Sequence, residues 1–301
     1  MFNRTILHPL EIVLSSNSSQ QLPYPPIFII GAPRCGSTLL VQVLTDAFDI
    51  GYLSNRHAQF YGFPALAERI FNPIENKKKS NFTSTHGITE NLDEPAECGD
   101  FWYRFFRKEP SYIPKHDMPI NKGLQFRNSI LSLILACKKP VIFKNLYAAN
   151  RIQPIAKILP EALYIVITRD ETAIAHSILA ARKKIFGRYD KWFSLPPRNI
   201  DALLKMEPAE QVVEQIRSIY RQIEDDLDTA NIPKNRILSI NYEDFCNDTH
   251  QYLSKFSDLL LSHGITLNRK FGIPKSFVIP SQKSIPETLE IEVSRYVNAH
   301  K

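Results

Sequence analysis

The stretch that most constrains the fold is residues 26–40, Pro-Ile-Phe-Ile-Ile-Gly-Ala-Pro-Arg-Cys-Gly-Ser-Thr-Leu-Leu. Residues 27–30 have the β-branched and aromatic character of a strand that is buried on both faces. Residues 37–48 carry apolar side chains at helical spacing, so the first N–H groups of a helix point back into the intervening loop. Because a helix N-terminus favours an anion, the stretch predicts a strand, a phosphate-binding loop and a helix.

The loop concentrates polar side chains and a glycine at the start of this helix. The candidate anion-binding residues are Arg34, Cys35, Gly36, Ser37 and Thr38. An ordinary strand-to-helix turn is the alternative interpretation. The spacing of Gly31 and Gly36 fits the nucleotide-binding pattern G-x-x-x-x-G-K-[ST], except that Ser37 replaces the lysine that reaches the β- and γ-phosphates. Arg34 supplies a planar cationic group instead, which suits a phosphate or a sulfonate.

Composition sets broad limits on the protein's class and partners. The chain has 301 residues, 44% of them hydrophobic, which suits one large α/β domain or two small ones. A net charge of +6 suits an anionic ligand but is too weak to predict nucleic-acid binding. Residues 77–79, Lys-Lys-Lys, are interpreted as a solvated loop.

The cysteines and the hydropathy pattern bear on the compartment. Four cysteines, at positions 35, 98, 137 and 246, lack the paired spacing of a zinc site or a disulfide framework. We expect no metal, a reducing cytoplasmic location, and no transmembrane segment, because no run reaches the roughly 18 apolar residues needed. The sequence says nothing about oligomeric state.

The organisation along the chain predicts a single P-loop-like α/β domain. Residues 1–25 are expected to form a loosely ordered leader and residues 26–301 the domain. Within it, residues 51–127 are rich in aromatics and irregular, so they are interpreted as an insertion that builds an acceptor pocket. Aromatic packing without a ligand is the alternative for any single ring.

Alternating helices and strands fill the rest of the domain. Strands are predicted at 140–144, 162–168 and 236–241, and helices at 127–137, 150–159, 171–185, 208–229, 248–263 and 287–298. Such alternation predicts a central, mostly parallel sheet flanked by helices.

A second candidate anion site follows the most strongly predicted strand. Arg169 stands at the carboxyl end of that strand, where open α/β sheets bind ligands, and Ser177 follows eight residues later. About two helical turns separate them, so Ser177 can lie on the same side of the helix as Arg169. The alternative is that Arg169 pairs with Asp170 or caps the helix. Two distant anion sites suit a nucleotide with phosphates at both the 3′ and the 5′ position.

These motifs resemble the sulfotransferases that use 3′-phosphoadenosine-5′-phosphosulfate (PAPS). Residues 33–38, Pro-Arg-Cys-Gly-Ser-Thr, are similar to the family loop Pro-Arg-Ser-Gly-Thr-Thr, with two conservative departures. The family also has an arginine and a serine eight residues apart after a strand, as Arg169 and Ser177 are. The C-terminal Arg-Lys-Gly motif of steroid and phenol sulfotransferases is absent, so the chain looks closer to the tyrosylprotein and bacterial type.

The resemblance spans roughly residues 26–285 and implies roles for further residues. Lys144, at the end of a strand, is expected to stabilise charge on the transferring sulfonate. Tyr242 is expected near the adenosine, and Arg182 beside the 3′-phosphate. Lys283, in Ser281-Gln-Lys, is expected to close the nucleotide site.

The implied reaction is in-line transfer of a sulfonate from PAPS to a hydroxyl or amine. A general base must take the acceptor's proton. His57 is the first candidate, because it lies close to where tyrosylprotein-type relatives place a catalytic glutamate. Glu97, Glu94 and His86 are its rivals.

The acceptor and two other functions stay open. The acceptor could be a small molecule, a lipid head group or a carbohydrate. The alternative functions are a P-loop small-molecule kinase, which the absent lysine disfavours, and a catalytically silent nucleotide-binding protein.

Overall fold

One sheet of five parallel strands organises the computed structural model, which describes residues 1–15, 20–84, 87–279 and 285–299. In spatial order the strands run β2-β3-β1-β4-β5. Their bounds are β1 Ile27–Gly31, β2 Gly51–Tyr52, β3 Val141–Lys144, β4 Leu163–Thr168 and β5 Ile237–Asn241. The predicted α/β class with its parallel sheet is therefore confirmed.

β1 lies at the centre of the sheet because it can be buried on both faces. All five of its residues are buried, and the Phe28 ring stacks on Phe143 and on Tyr164 in the neighbouring strands. The register sets Ile29 opposite Lys144 and Gly31 opposite Ile167. The carboxyl ends of the strands therefore meet at one edge, where parallel α/β sheets bind ligands.

Helices cover the sheet and supply most of the remaining chain. In the described residues they are α1 His8–Leu14, α2 Ser37–Ala47, α3 Asn55–Gln59, α4 Pro64–Phe71, α5 Pro73–Asn76, α6 Gly99–Trp102, α7 Ile120–Cys137, α8 Ile152–Ile158, α9 Glu171–Phe186, α10 Ile200–Leu203, α11 Pro208–Thr229, α12 Tyr242–Asn247, α13 Thr249–Leu261 and α14 Glu287–Asn298. α11 and α14 begin and end where the sequence predicts.

The first residues of the chain differ from the expected loose leader. A π-helical turn, Asn3–Leu7, continues directly into α1. Glu11 of α1 is buried, forms an ion pair with Arg104 and accepts a hydrogen bond of 2.8 Å from Ser129. These polar contacts with distant residues order the segment, and they are invisible to local composition.

The predicted insertion, residues 51–127, also differs at both ends. Its first two residues form β2, which pairs with β3 at the edge of the sheet. Its last residues belong to α7, which begins at Ile120. Between these ends the segment is irregular, with short helices.

Lys77 lies in the core, contrary to the interpretation of residues 77–79 as a solvated loop. Its side chain forms an ion pair with Asp46 of α2, and its Nζ lies 3.4 Å from Glu94 Oε1. Ser80 Oγ donates to Glu94 at 2.8 Å. Two carboxylates compensate the buried charge of this one lysine, so it can leave the surface.

Candidate functional site

A cavity of about 790 Å³ opens at the edge where the strands end. Its volume lies within the range of small-molecule sites. Predicted site residues line it from the ends of four strands: Arg34, Gly36, Ser37, Thr38, Lys144, Arg169 and Tyr242. Glu97, from the irregular segment, also lines it.

The loop after β1 presents the start of α2 to this cavity. Gly36 caps the helix with φ of 94°, a conformation that suits glycine. A Cβ at Gly36 would stand 2.2 Å from Cδ2 of Tyr242, so the glycine also lets that ring pack against the loop. No side chain caps the helix, so its first N–H groups have no capping partner at the end where Ser37 and Thr38 line the cavity. The loop is thus built to receive an anion.

Cys35 does not present its side chain to the cavity. The residue is fully buried, and burial raises the pKa of its thiol. Its backbone N–H donates to Ala32 at 3.3 Å within the loop. Cys35 therefore packs beneath the loop, and a direct contact with a ligand is not part of this arrangement.

Arg34 links the loop to the second predicted anion site. Its Nε donates to Ser177 Oγ at 2.9 Å, while Arg169 Nη1 donates to the backbone oxygen of Arg34 at 3.0 Å. Burial and the neighbouring Arg169 charge lower the pKa of the Arg34 guanidinium. Two guanidinium groups that repel each other in a partly buried site are stabilised by an anion between them.

Arg169 has a buried nitrogen available for such an anion. Its Nε is buried without a hydrogen-bond partner, and Glu243 Oε1 lies 3.9 Å away, beyond hydrogen-bond distance. The guanidinium stacks over the Tyr242 ring at 4.5 Å. Asp170 caps α9 by accepting the N–H of Ala173 at 2.7 Å, so the cap and the anion site use different residues.

Lys144 and Glu97 form an ion pair in the wall of the cavity. Lys144, the last residue of β3, places Nζ 2.5 Å from Glu97 Oε1 and 3.4 Å from the carbonyl oxygen of Gly87. The Lys144 side chain is 3% exposed and the Glu97 side chain is 38% exposed. The lysine is therefore fixed in the wall of the cavity, whereas the carboxylate reaches solvent.

The backbone of Glu97 is held by two side chains. Its carbonyl oxygen accepts hydrogen bonds from Trp102 Nε1 at 2.8 Å and from Asn145 Nδ2 at 3.1 Å. Asn145 follows Lys144 directly, so one strand end positions both members of the pair. Sequence reasoning missed Asn145, although its place beside the strand-end lysine is a signal that could have found it.

His57 and Glu94 lie in buried structural contacts rather than at the cavity. His57 Nδ1 accepts the N–H of Ser54 at 3.1 Å in a capping box of α3. Its Nε2 lies 3.2 Å from Glu68 Oε2, an ion-pair distance without hydrogen-bond geometry. The imidazole is fully buried. Glu94 is engaged by Lys77 and by Gln42 Nε2, the latter at 3.1 Å.

Arg182 lies in the core and not at the predicted 3′-phosphate site beside Arg34 and Ser177. It is fully buried, donating to the carbonyl oxygen of Tyr189 at 3.1 Å and to Gln215 Oε1 at 3.2 Å. Burial lowers its pKa to about 10. Its position one turn beyond Ser177 on α9 directs it towards α11. His86 and Lys283 lie outside the described residues.

The remaining wall of the cavity is largely apolar. The residues there include Ala58, Ile88, Ala96, Leu146 and Tyr147. They come from the irregular segment and from the turn after β3, beside Glu97 and Lys144. Across the described part of the chain, no three His, Cys, Asp or Glu side chains are grouped to hold a metal ion. No helix in that part is long and apolar enough to cross a bilayer.

Comparisons with known proteins bear on the family and the fold. The model of the Sulfotransferase family matches residues 25–260. The omega-hydroxy-beta-dihydromenaquinone-9 sulfotransferases Stf3 of Mycobacterium bovis and Mycobacterium tuberculosis are each 24% identical to this chain over 256 residues. The match covers 77% of this chain but only 61% of those relatives.

A solved structure shares the fold. Sulfotransferase STF9 from Mycobacterium avium matches with a TM-score of 0.53 at 13% identity, covering 97% of this chain and 71% of that one. Because the two sequences are only 13% identical, this match supports the fold alone. Because the family model matches well over half of the chain, the protein belongs to the sulfotransferase family.

Proposed function

We propose that the protein transfers a sulfonate group from PAPS to a hydroxyl or amine of a small acceptor molecule. The observation that carries the proposal is the convergence of Arg34, Arg169 and Ser177 beside the uncapped start of α2. Family membership supports the same chemistry. The names of the two Stf3 relatives describe sulfotransferases, of which this chain spans part.

The donor's two phosphate ends would be held by different parts of the site. The N–H groups of Ser37 and Thr38 suit the 5′-phosphosulfate, because a helix start binds an anion without a counter-ion. Arg169 and Ser177 suit the 3′-phosphate, with Arg34 between the two ends. A kinase is disfavoured because Ser37 follows Gly36 where a nucleoside-triphosphate loop has lysine.

We assign the proton transfer to Glu97 rather than to His57. Among the candidate bases Glu97 lines the cavity, whereas the His57 ring is buried, with Nδ1 accepting from Ser54 and Nε2 facing Glu68. In the proposed step the acceptor oxygen or nitrogen forms a bond to sulfur as the bond from sulfur to the phosphate oxygen breaks. The acceptor proton goes to the Glu97 carboxylate, and 3′-phosphoadenosine-5′-phosphate leaves.

Lys144 supplies the charge for this transition state. Negative charge spreads over the sulfonate and the bridging oxygen, and a fixed cation in a water-poor wall stabilises it without reorganising. The apolar wall beside Lys144 and Glu97 suits an acceptor with a hydrophobic part next to its reacting group.

We also infer that the protein works in the cytoplasm. Its four cysteines are free and buried, as a reducing compartment permits.

Calorimetric titration of the full chain tests the proposed donor. We expect 3′-phosphoadenosine-5′-phosphate to bind and ATP to bind far more weakly, since ATP lacks the 3′-phosphate. Incubation with radiolabelled PAPS and a panel of alcohols and amines should then give a labelled product. Tight binding of ATP with no binding of the 3′,5′-nucleotide would overturn the proposal in favour of a kinase.

A further inference from the structure

The helix formed by residues 2–14 turns its polar side towards the protein. Glu11 is buried in an ion pair with Arg104. His8 Nδ1 accepts a hydrogen bond from Arg104 Nε at 3.0 Å. Asn3 donates from Nδ2 to the carbonyl oxygen of Gln59 at 2.9 Å. Leu7 is the buried apolar residue of this inner side.

The outer side of the same helix is apolar. Phe2, Ile6, Leu10 and Val13 recur every three or four residues, so they share one face. Their side chains are between 37% and 79% exposed, and Leu14 beside them is 63% exposed. This outer face is the reverse of the usual surface helix, which buries its apolar side.

Such an orientation points to an apolar environment outside the protein. Scattered exposed apolar residues need no explanation, but a continuous stripe along one helix marks a surface that another body covers. The polar contacts of Glu11, His8 and Asn3 fix the helix in place. The stripe cannot turn inward without breaking them, so these contacts hold it outward.

We propose that this face lies on the surface of an anionic lipid bilayer. An amphipathic helix binds there with its apolar side chains at the boundary between head groups and acyl chains. The net charge of +6 favours an anionic surface. A second copy of the chain would bring the same positive charge against it, which opposes self-association.

The helix is joined to the cavity wall by one short element. Gln59, whose carbonyl oxygen binds Asn3, is the last residue of α3. Asn55 and Ala58 of α3 line the cavity. Membrane attachment would therefore hold the acceptor side of the site near the lipid surface, which goes beyond the proposed reaction itself.

Vesicle sedimentation with the full chain tests the attachment without any activity measurement. The probes are vesicles of phosphatidylcholine alone and of phosphatidylcholine mixed with phosphatidylglycerol. We expect the protein to sediment with the anionic vesicles and to be released as salt is raised. The double variant Ile6→Ser/Val13→Ser should bind about tenfold or more weakly, since each side chain loses part of its transfer free energy.

A matched control separates this face from general surface hydrophobicity. Leu261→Ser/Ile291→Ser changes two residues that are 61% and 63% exposed on α13 and α14, and it should bind vesicles as the unchanged protein does. Circular dichroism and thermal melting check that each variant is folded. Unchanged protein that stays in the supernatant with both vesicle types overturns the proposal, and so does equal binding by Ile6→Ser/Val13→Ser. A dimer in sedimentation velocity that this variant abolishes, without vesicle binding, would identify a second copy as the occupant.

Discussion

Arg34 and Ser177, 143 residues apart in the chain, are joined by a hydrogen bond of 2.9 Å from the guanidinium Nε to the hydroxyl oxygen. Arg34 belongs to the loop after β1 and Ser177 to the helix after β4, and these two strands pair in parallel along the full length of β1. The two anion sites that the sequence predicts separately therefore lie side by side in the fold. A ligand that spans both can be held by Arg34 at its middle.

Replacing Ser177 by alanine should weaken the binding of 3′-phosphoadenosine-5′-phosphate by about tenfold, the effect of one hydrogen bond to a charged group. Adenosine 5′-phosphate, which lacks the 3′-phosphate, should lose much less affinity. Calorimetry with both nucleotides measures the difference. Ser218→Ala is a suitable control, since Ser218 is similarly buried and bonds Asn199 on another part of the chain.

An equal loss for both nucleotides would contradict the assignment of Ser177 to the 3′-phosphate. It would show instead that the hydroxyl acts by holding Arg34 in position. The variant Arg169→Ala separates these cases further, because it removes the guanidinium with the unpaired Nε and leaves the bond between Arg34 and Ser177 intact.

Replacing Glu97 by glutamine should lower kcat by about 10²- to 10⁴-fold, the usual contribution of a general base. The side chain keeps its shape but can no longer accept the proton. Affinity for 3′-phosphoadenosine-5′-phosphate should change little. Steady-state kinetics with labelled PAPS and calorimetry on the same samples give the two values.

Replacing His57 by glutamine should affect stability rather than kcat, the opposite of the result expected for Glu97→Gln. Its imidazole caps α3 and faces Glu68 in the core, so the substitution should lower the free energy of unfolding by about 1–3 kcal/mol, as for a disturbed buried polar contact. Activity per folded molecule should be close to normal. A large fall in kcat for His57→Gln with normal turnover for Glu97→Gln would reverse the assignment of the base.

The fold and much of the cavity could be predicted because their signals are local. The buried run before Gly31 indicates a central strand, and the strand before Arg169 has the same character. Parallel strands then bring their carboxyl ends to one edge by geometry alone. For that reason Arg34 and Arg169 could be expected at the same edge of the sheet, whereas Lys144 was predicted there from the resemblance of its strand to the family.

Side-chain direction could not be predicted in the same way. Lys77 is buried because Asp46 and Glu94, both distant in sequence, compensate its charge. Arg182 follows Ser177 on one helix but turns into the core, since Gln215 and a carbonyl oxygen receive its donors. The distance in sequence between His57 and Arg34 likewise does not show which way the His57 ring points.

Acid should loosen the attachment of α1, because His8 must stay neutral to accept hydrogen bonds from Arg104 Nε at 3.0 Å and Nη2 at 2.7 Å. Burial, then the charges of Arg104 and Lys122, lower the pKa of His8 from 6.5 to about 4. The unfolded chain therefore binds this proton more readily, and stability falls as the pH drops from about 6.5 towards 4.

Between about pH 7 and about pH 5 the unchanged protein should lose roughly 1 kcal/mol more unfolding free energy than His8→Gln, after allowance for water around the half-exposed ring. Glu11 on the same inner face has its pKa raised by burial, and it is present in both proteins, so the difference between them isolates His8. Urea unfolding at the two pH values measures it, and amide exchange over residues 3–14 shows whether the loss is local. Parallel pH profiles for the two proteins would show that the imidazole carries no such linkage.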